Sequence, residues 1–295
     1  MDVDIVDLEY LDVEPPTLDA GTPDVTIWSD GADGPVAFGA TRGDWHWLRF
    51  VGVGTYRFPV RPRGLTIAAA VVPEPSVDHA LLVDSYYRSI VPLALQAYGL
   101  EALHGSAVAL PGGVVAMCAD RETGKSTIAY SLKRRGHAVV ADDSVVLSVP
   151  VTDDDGPVTV HPLPFELRLR RPTADHFHVP DRHHVAVDGT STRTRSDDLS
   201  LRAIVLLSRD DHVGSVHLTR LPANQAFSSV LSQSHAFSLA HGERKREMMR
   251  GYLRLVDSVP VYRLTYPTGL EYLDAICERI ETVAERGATM DGGPV

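Results

Sequence analysis

Ala119-Asp120-Arg121-Glu122-Thr123-Gly124-Lys125-Ser126-Thr127 is the stretch on which the reading of this chain turns, and its second half is Gly-Lys-Ser-Thr. Ahead of it, Val114 to Cys118 is a continuous apolar run, the pattern of a strand buried on both faces. Behind it, Lys125 to Arg135 has helical periodicity, with Gly136 as its stop signal. A turn between such a strand and such a helix aims successive backbone N–H groups and the helix N-terminus at one point, which is how phosphates are cradled. Arg121, Glu122, Thr123, Gly124, Lys125, Ser126 and Thr127 are therefore the candidate nucleotide-binding residues. In such a loop Lys125 reaches the β- and γ-phosphates, and the Ser126 hydroxyl ligates Mg²⁺. Lysine occurs only at 125, 133 and 245, so one of three falls where the motif needs it.

Two positions depart from the usual loop. Ala119 stands where the pattern begins with glycine, and Glu122 replaces a further glycine, close to Asp120. Carboxylates beside a triphosphate repel it unless they point outward. A nucleotide loop of weakened grip and a chance Gly-Lys-Ser-Thr are the competing readings.

Working outward, His137 to Ala141 reads as a buried strand ending in Asp142-Asp143, seventeen and eighteen residues beyond Lys125. Open α/β sheets place their ligand chemistry at the carboxyl ends of strands. One carboxylate of such a pair can hold Mg²⁺ and the other can accept the proton of an attacking hydroxyl; an exposed acidic turn is the bland alternative. Upstream, His104 in Leu103-His104-Gly105-Ser106-Ala107 precedes the strand that leads into the loop hairpin. A lone histidine there is more often structural, but its position brings it near the phosphates.

Taken in order, His104-Gly105-Ser106-Ala107-Val108, the loop, Arg134-Arg135-Gly136-His137 and Ala141-Asp142-Asp143 resemble the catalytic core of the HPr kinase/phosphorylase family. The likeness is nearer to HPr-kinase-like proteins of peptide-modification clusters, such as lasso-peptide kinases. It is strong over about residues 100–148 and looser, by order of elements, to about residue 284. The resemblance implies an α/β, P-loop-containing catalytic domain on a fold shared with phosphoenolpyruvate carboxykinases. It implies an ATP- and Mg²⁺-dependent transferase acting on a serine hydroxyl of a peptide or protein. By position, Lys125 and Ser126 take phosphate and metal, and Asp142 and Asp143 divide the metal-shell and general-base roles, in an order the resemblance leaves open. His104 matches the family's active-site histidine. Phe165-Glu166-Leu167-Arg168 is a counterpart of a Glu-Ile-Arg segment, which makes Glu166 a second candidate metal ligand, although a strand of alternating Leu and Arg explains it equally. The loop with which the family docks its carrier protein has no match, so HPr itself is not the expected substrate.

The rest of the chain sets the frame. Of its 295 residues, 39 are acidic and 28 basic, a net charge of −11, which argues against non-specific nucleic-acid binding. Residues 1–100 hold fourteen acids against six arginines, a net of −8, and the remainder is nearly balanced at −3. Two distant cysteines, Cys118 and Cys277, exclude a disulfide scaffold. An acidic start without an apolar run and the lack of a convincing membrane span make a cytoplasmic, non-membrane protein the expectation. Residues 1–100 read as a β-rich N-terminal domain ending in a helix over 78–97, kinked or divided at Pro92. Residues 101–286 read as the kinase domain and 287–295 as a flexible tail. Within the kinase domain, 158–170 reads as one strand, 171–200 as a mobile loop and 224–240 as a helix. His176, His178, His183 and His184 complete no known zinc ligand set, so they read as part of that loop. Arg244, Lys245, Arg246 and Arg250 read as a solvated helix face or a phosphate grip. Association into a homo-oligomer is left open. The expected function is γ-phosphoryl transfer to a hydroxyl; a weakly catalytic nucleotide-binding regulator or scaffold, or a kinase of a small hydroxylated metabolite, are the alternatives.

Overall fold

A computed structural model describes residues 3–22, 26–29, 35–120, 123–150, 156–164, 166–179, 184–186, 199–235 and 242–289. The chain divides into two compact units, residues 1–100 with 235–248, and residues 101–234 with 249–295.

The first unit is built on aromatic and β-branched strands cut by prolines and tight glycine turns. These are β1 (Asp4–Ile5), β2 (Glu9–Tyr10), β3 (Thr26–Ser29), β4 (Pro35–Arg42), β5 (Trp45–Phe50), β6 (Gly54–Pro59), β7 (Thr66–Ile67) and β8 (Ala70–Pro73). Six of them form one sheet in the order β2-β8-β6-β5-β4-β3, while β1 pairs with β7. Trp47 is buried against Leu18, Phe38 and Ala40. Two residues away on the same strand, Trp45 carries the Arg57 guanidinium 4.3 Å over its ring.

The helical stretch after Asp78 runs without a gap to Ala97 and changes type ahead of Pro92. It comprises α1 (His79–Ser85), a π-helical turn (Tyr86–Ile90) and α2 (Val91–Ala97). Asp78 caps α1 by accepting from the Ala80 N–H at 3.0 Å. Pro92 falls in the first turn of α2, directly after the π-helical turn. Three tyrosine hydroxyls tie this unit together: Tyr56 donates to Leu82 O at 2.9 Å, Tyr86 to Val6 O at 2.6 Å, and Tyr98 to Pro59 O at 3.0 Å. Arg244 closes the far end of α2, donating from Nε to Gln96 O at 2.8 Å and from Nη2 to Leu100 O at 2.7 Å. Its charge therefore meets one carbonyl of the last turn of α2, where the helix dipole favours a cation, and one just beyond the helix.

The second unit is mixed α/β. In order it runs β9 (Glu101–Leu110), β10 (Gly113–Cys118), α3 (Lys125–Arg134), β11 (Ala138–Ala141), β12 (Ser144–Ser148), β13 (Thr159–His161), β14 (Glu166–Arg168) and α4 (Arg171–His176). There follow β15 (His184–Ala186), β16 (Leu201–Arg209), β17 (His217–Arg220), α5 (Ala223–Ser232), α6 (Gly242–Ser258, of which residues 242–248 belong to the first unit), β18 (Val261–Tyr266), a 3-10 turn (Leu270–Tyr272) and α7 (Leu273–Thr289). An eight-stranded sheet has the order β13-β12-β9-β10-β16-β18-β17, with β11 also paired to β9. β10, β16 and β18 are mutually parallel, and β9 runs antiparallel to β10. Ile128, Ala129 and Leu132 of α3 and Ile276, Ile280 and Val283 of α7 pack on the sheet beside Val115, Met117, Val205 and Leu264. At about 1.5–3 kcal/mol for each large apolar side chain, this packing holds α3 at the end of β10.

Several boundaries differ from expectation for identifiable reasons. The strand read over 158–170 is broken into β13 and β14, because Pro162 and Pro164 between them have no N–H for a ladder. Within the stretch read as loop, Arg171–His176 is helical, with Pro172 in its first turn. Helix α5 stops at Ser232, since the next residues pair with β9: Leu103 bridges Ser234, and the His104 N–H donates to Gln233 O at 2.7 Å. Residues 236–241 lie outside the described residues, as do 180–183 and 187–198, which include His183. Among the described residues, no helix is long and apolar enough to cross a membrane.

Candidate functional site

The strand pairings gather the sequence-predicted residues at one end of the large sheet. The segment that begins at Ala119 leaves the carboxyl end of β10. Because β9 is antiparallel, its beginning lies beside that end, with Gly105 opposite Cys118 and Ser106 opposite Met117. β11 pairs with β9 as well and delivers Asp142-Asp143 to the same edge, with Ala141 opposite Ala107. Gly105 permits this closeness: a Cβ there would lie 2.6 Å from Met117 O.

Helix α3 begins at Lys125 with Gly124 as its N-cap, at φ 109°, in the left-handed region that favours glycine. Gly124 has no side chain with which to cap the helix, so the N-terminus carries no side-chain cap. Thr123 Oγ1 donates to Asp120 O at 2.9 Å, and the buried Lys125 amine donates to Ala119 O at 2.7 Å and Asp120 O at 3.1 Å. The Thr127 hydroxyl meets that of Thr173 at 3.1 Å, joining α3 to α4. Arg121 and Glu122 lie outside the described residues.

Asp142 is buried and receives two hydroxyls. Ser106 Oγ donates to its Oδ1 at 2.6 Å, and Ser126 Oγ lies 3.1 Å from Oδ1 and 3.3 Å from Oδ2. The half-buried Asp143 differs in kind. Its backbone is left-handed at φ 65°, a conformation an aspartate tolerates at a cost of about 1–3 kcal/mol. Two bonds to its carbonyl hold it there, the Gly105 N–H at 3.2 Å and His104 Nδ1 at 3.1 Å. A carbonyl only accepts, so Nδ1 is the donor in this bond.

Four residues at this edge were not singled out from the sequence. Ser106 lies beside His104 on β9, its hydroxyl on Asp142 Oδ1. Gln233 sits next to both ends of the site, its carbonyl on the His104 N–H and its Nε2 3.4 Å from Asp120 Oδ1. Tyr266 donates to Thr123 O at 2.9 Å, and Arg209 Nη2 lies 3.3 Å from where a Gly124 Cβ would be. Arg209 and Tyr266 are register partners at the carboxyl ends of β16 and β18, the two strands that continue the parallel set from β10. The signal that could have found them is the rule that the first polar residues after parallel strands face the ligand edge.

Other expectations fall elsewhere. Glu166 is the first residue of β14, opposite Ala186; its carboxylate lies outside the described atoms. Among the described residues, no group of three or more His, Cys, Asp or Glu is arranged to hold a metal. Mg²⁺ characteristically takes one or two carboxylates with substrate phosphates rather than a closed protein cage. The donor chemistry fits such an ion: Ser126 and Asp142 offer oxygen only, at the start of a helix.

No family model matches the chain, and no curated protein matches it. Among solved structures it is similar to the HPr(Ser) kinase/phosphatase from Coxiella burnetii, at a TM-score of 0.34 and 10% identity, over 64% of this chain and 92% of that one. So slight a likeness says nothing of chemistry, which rests on the residues above.

Proposed function

We propose that this chain is an ATP-dependent kinase that transfers a γ-phosphoryl group to a hydroxyl, with a serine of a peptide or protein as acceptor. The observation that carries the reading is the hydrogen bond between Ser126, first turn of α3, and the buried carboxylate of Asp142 at the end of β11. A hydroxyl that follows Gly-Lys and meets a strand-end carboxylate is the arrangement by which P-loop enzymes hold Mg²⁺ beside the phosphates.

Ser126 and Asp142 would hold the metal, which when bound neutralises charge on the phosphoryl oxygens. On this reading Asp142 is the metal-shell residue and Asp143 the general base, a division that the two hydroxyls on the Asp142 carboxylate support. Asp143 would accept the acceptor's hydroxyl proton as the acceptor oxygen bonds to phosphorus and the bond to the leaving ADP oxygen breaks. His104, fixed on the Asp143 carbonyl, orients that residue. Lys125, now on two loop carbonyls, would turn its ammonium to the transferring phosphate, and the N–H groups at the start of α3 would line the same side. The sequence of the loop favours one rival, a nucleotide-binding regulator of low turnover, because Ala119 occupies the first glycine position.

The test is ATP consumption by the full chain with candidate acceptors, read by intact mass. A phosphate-sized gain on a peptide, lost in both Lys125→Ala and Asp143→Asn, is expected. A gain on a small metabolite instead would move the acceptor class. Turnover that both variants retain, or nucleotide binding without turnover on any acceptor, would overturn the kinase reading.

A further inference from the structure

Strand β9 supplies three consecutive residues to the acidic pair. His104 and Gly105 hold the Asp143 carbonyl, and Ser106 holds the Asp142 carboxylate. Ser106 itself is fully buried, at 0% exposure, and cannot touch a substrate. Its Oγ–Oδ1 distance of 2.6 Å is that of a charge-assisted O–H···O⁻ bond, among the stronger hydrogen bonds a side chain makes.

We infer that Ser106 is a positioning residue for the metal-shell carboxylate, an inference that rests on the kinase reading above. The rotation of a carboxylate about its last bond is broad and nearly two-fold, so a strand alone does not orient it. Ser106 fixes Oδ1 from the β9 side. Ser126 approaches the same carboxylate from α3, nearly equidistant from its two oxygens. With Oδ1 pinned, the carboxylate plane is set, and Oδ2 and the Ser126 hydroxyl are presented together toward the start of α3. Ser106 thereby acts on the metal through Asp142, as outer partners of metal ligands do, and such partners typically contribute 10–100-fold in metal affinity. A serine that merely satisfied a buried carboxylate would affect stability and leave metal affinity alone.

Binding separates the two roles without reliance on turnover. Mn²⁺ in the presence of ADP is titrated into the full chain and free Mn²⁺ is followed by electron paramagnetic resonance, with circular dichroism confirming that each variant is folded. Wild type is expected to bind Mn²⁺ with ADP, Ser106→Ala about tenfold more weakly, and Ser106→Cys, of similar shape with a weak donor, in between. Equal affinity in wild type and in whichever of the two variants is folded would overturn the Ser106 inference while leaving the kinase reading intact. Failure of the wild type itself to bind Mn²⁺ with ADP would overturn the kinase reading, and the inference with it.

Discussion

The hydroxyl of Tyr266 donates to the carbonyl of Thr123 at 2.9 Å, joining the last residue of β18 to the segment that precedes α3. Sequence places the two 143 residues apart. The bond holds the backbone just ahead of Gly124, so the entry to α3 is anchored from a strand that carries none of the motif. Burial raises the Tyr266 phenol to about 12, which keeps it protonated, and a donor, at ordinary pH.

Replacing Tyr266 with Phe removes that donor and retains the ring. The expected result is a loss of about 1 kcal/mol in urea unfolding, the usual net contribution of one hydrogen bond, together with weaker nucleotide binding. The linkage has a definite sign. The folded pKa lies above the unfolded value near 10, so this contribution is complete below pH 10 and declines as pH rises toward 12. Unfolding curves for Tyr266→Phe should lack that alkaline component.

Gly105→Ala places a Cβ 2.6 Å from Met117 O and 3.1 Å from Cys118 Sγ, where the backbone of β10 cannot yield cheaply. Overpacking of this kind costs about 1–3 kcal/mol. Because His104 and Ser106 flank the position, the strand shift should also reduce ATP turnover. Chemical denaturation and turnover measured on the same preparation check both effects, and an unchanged unfolding midpoint would contradict the close approach.

Gly124→Ala meets two obstacles, a φ of 109° that L-residues seldom adopt and the Arg209 guanidinium 3.3 Å from the new methyl. Left-handed backbone costs an ordinary residue about 1–2 kcal/mol, and the guanidinium must move. Nucleotide binding should fall more than stability does, and a calorimetric titration with ADP beside a thermal melt would show the difference. Arg209→Ala in the same background should relieve the steric part only.

His235 gives the chain a mildly acidic sensitivity. Burial pushes its imidazole down to about 4 from an ordinary 6.5. Between those values the unfolded chain binds a proton that the folded chain refuses, so stability falls as pH drops from 6.5 toward 4. Replacement of His235 by Gln should flatten that part of a stability–pH profile. A profile unchanged by the substitution would place the acid sensitivity elsewhere.

The elements around the loop were legible because their signals are local. Val114 to Cys118 is apolar without interruption, and the helix from Lys125 shows its periodicity within three turns and a glycine after it. Boundaries failed where a distant partner intervened: α5 stops at Ser232 because β9 takes the backbone of Gln233 and Ser234. Strand β17 is short and largely exposed, with burial too slight to mark it in the pattern. Arg244 reads from sequence as one charge in a basic run, while in the fold its guanidinium serves carbonyls of Gln96 and Leu100, more than 140 residues away.

What the sequence by itself determined was a strand, a glycine turn, a helix carrying Lys125 and Ser126, and a second strand ending in two aspartates. Those follow from periodicity and chain order, which act over a few residues. Tertiary structure alone distinguished the two aspartates. Asp142 meets two hydroxyls through its carboxylate, whereas Asp143 is held through its carbonyl in a left-handed turn. The reason is the antiparallel register of β9, which sets His104, Gly105 and Ser106 against that turn. Neighbours in sequence thereby receive different partners, and no local pattern encodes which.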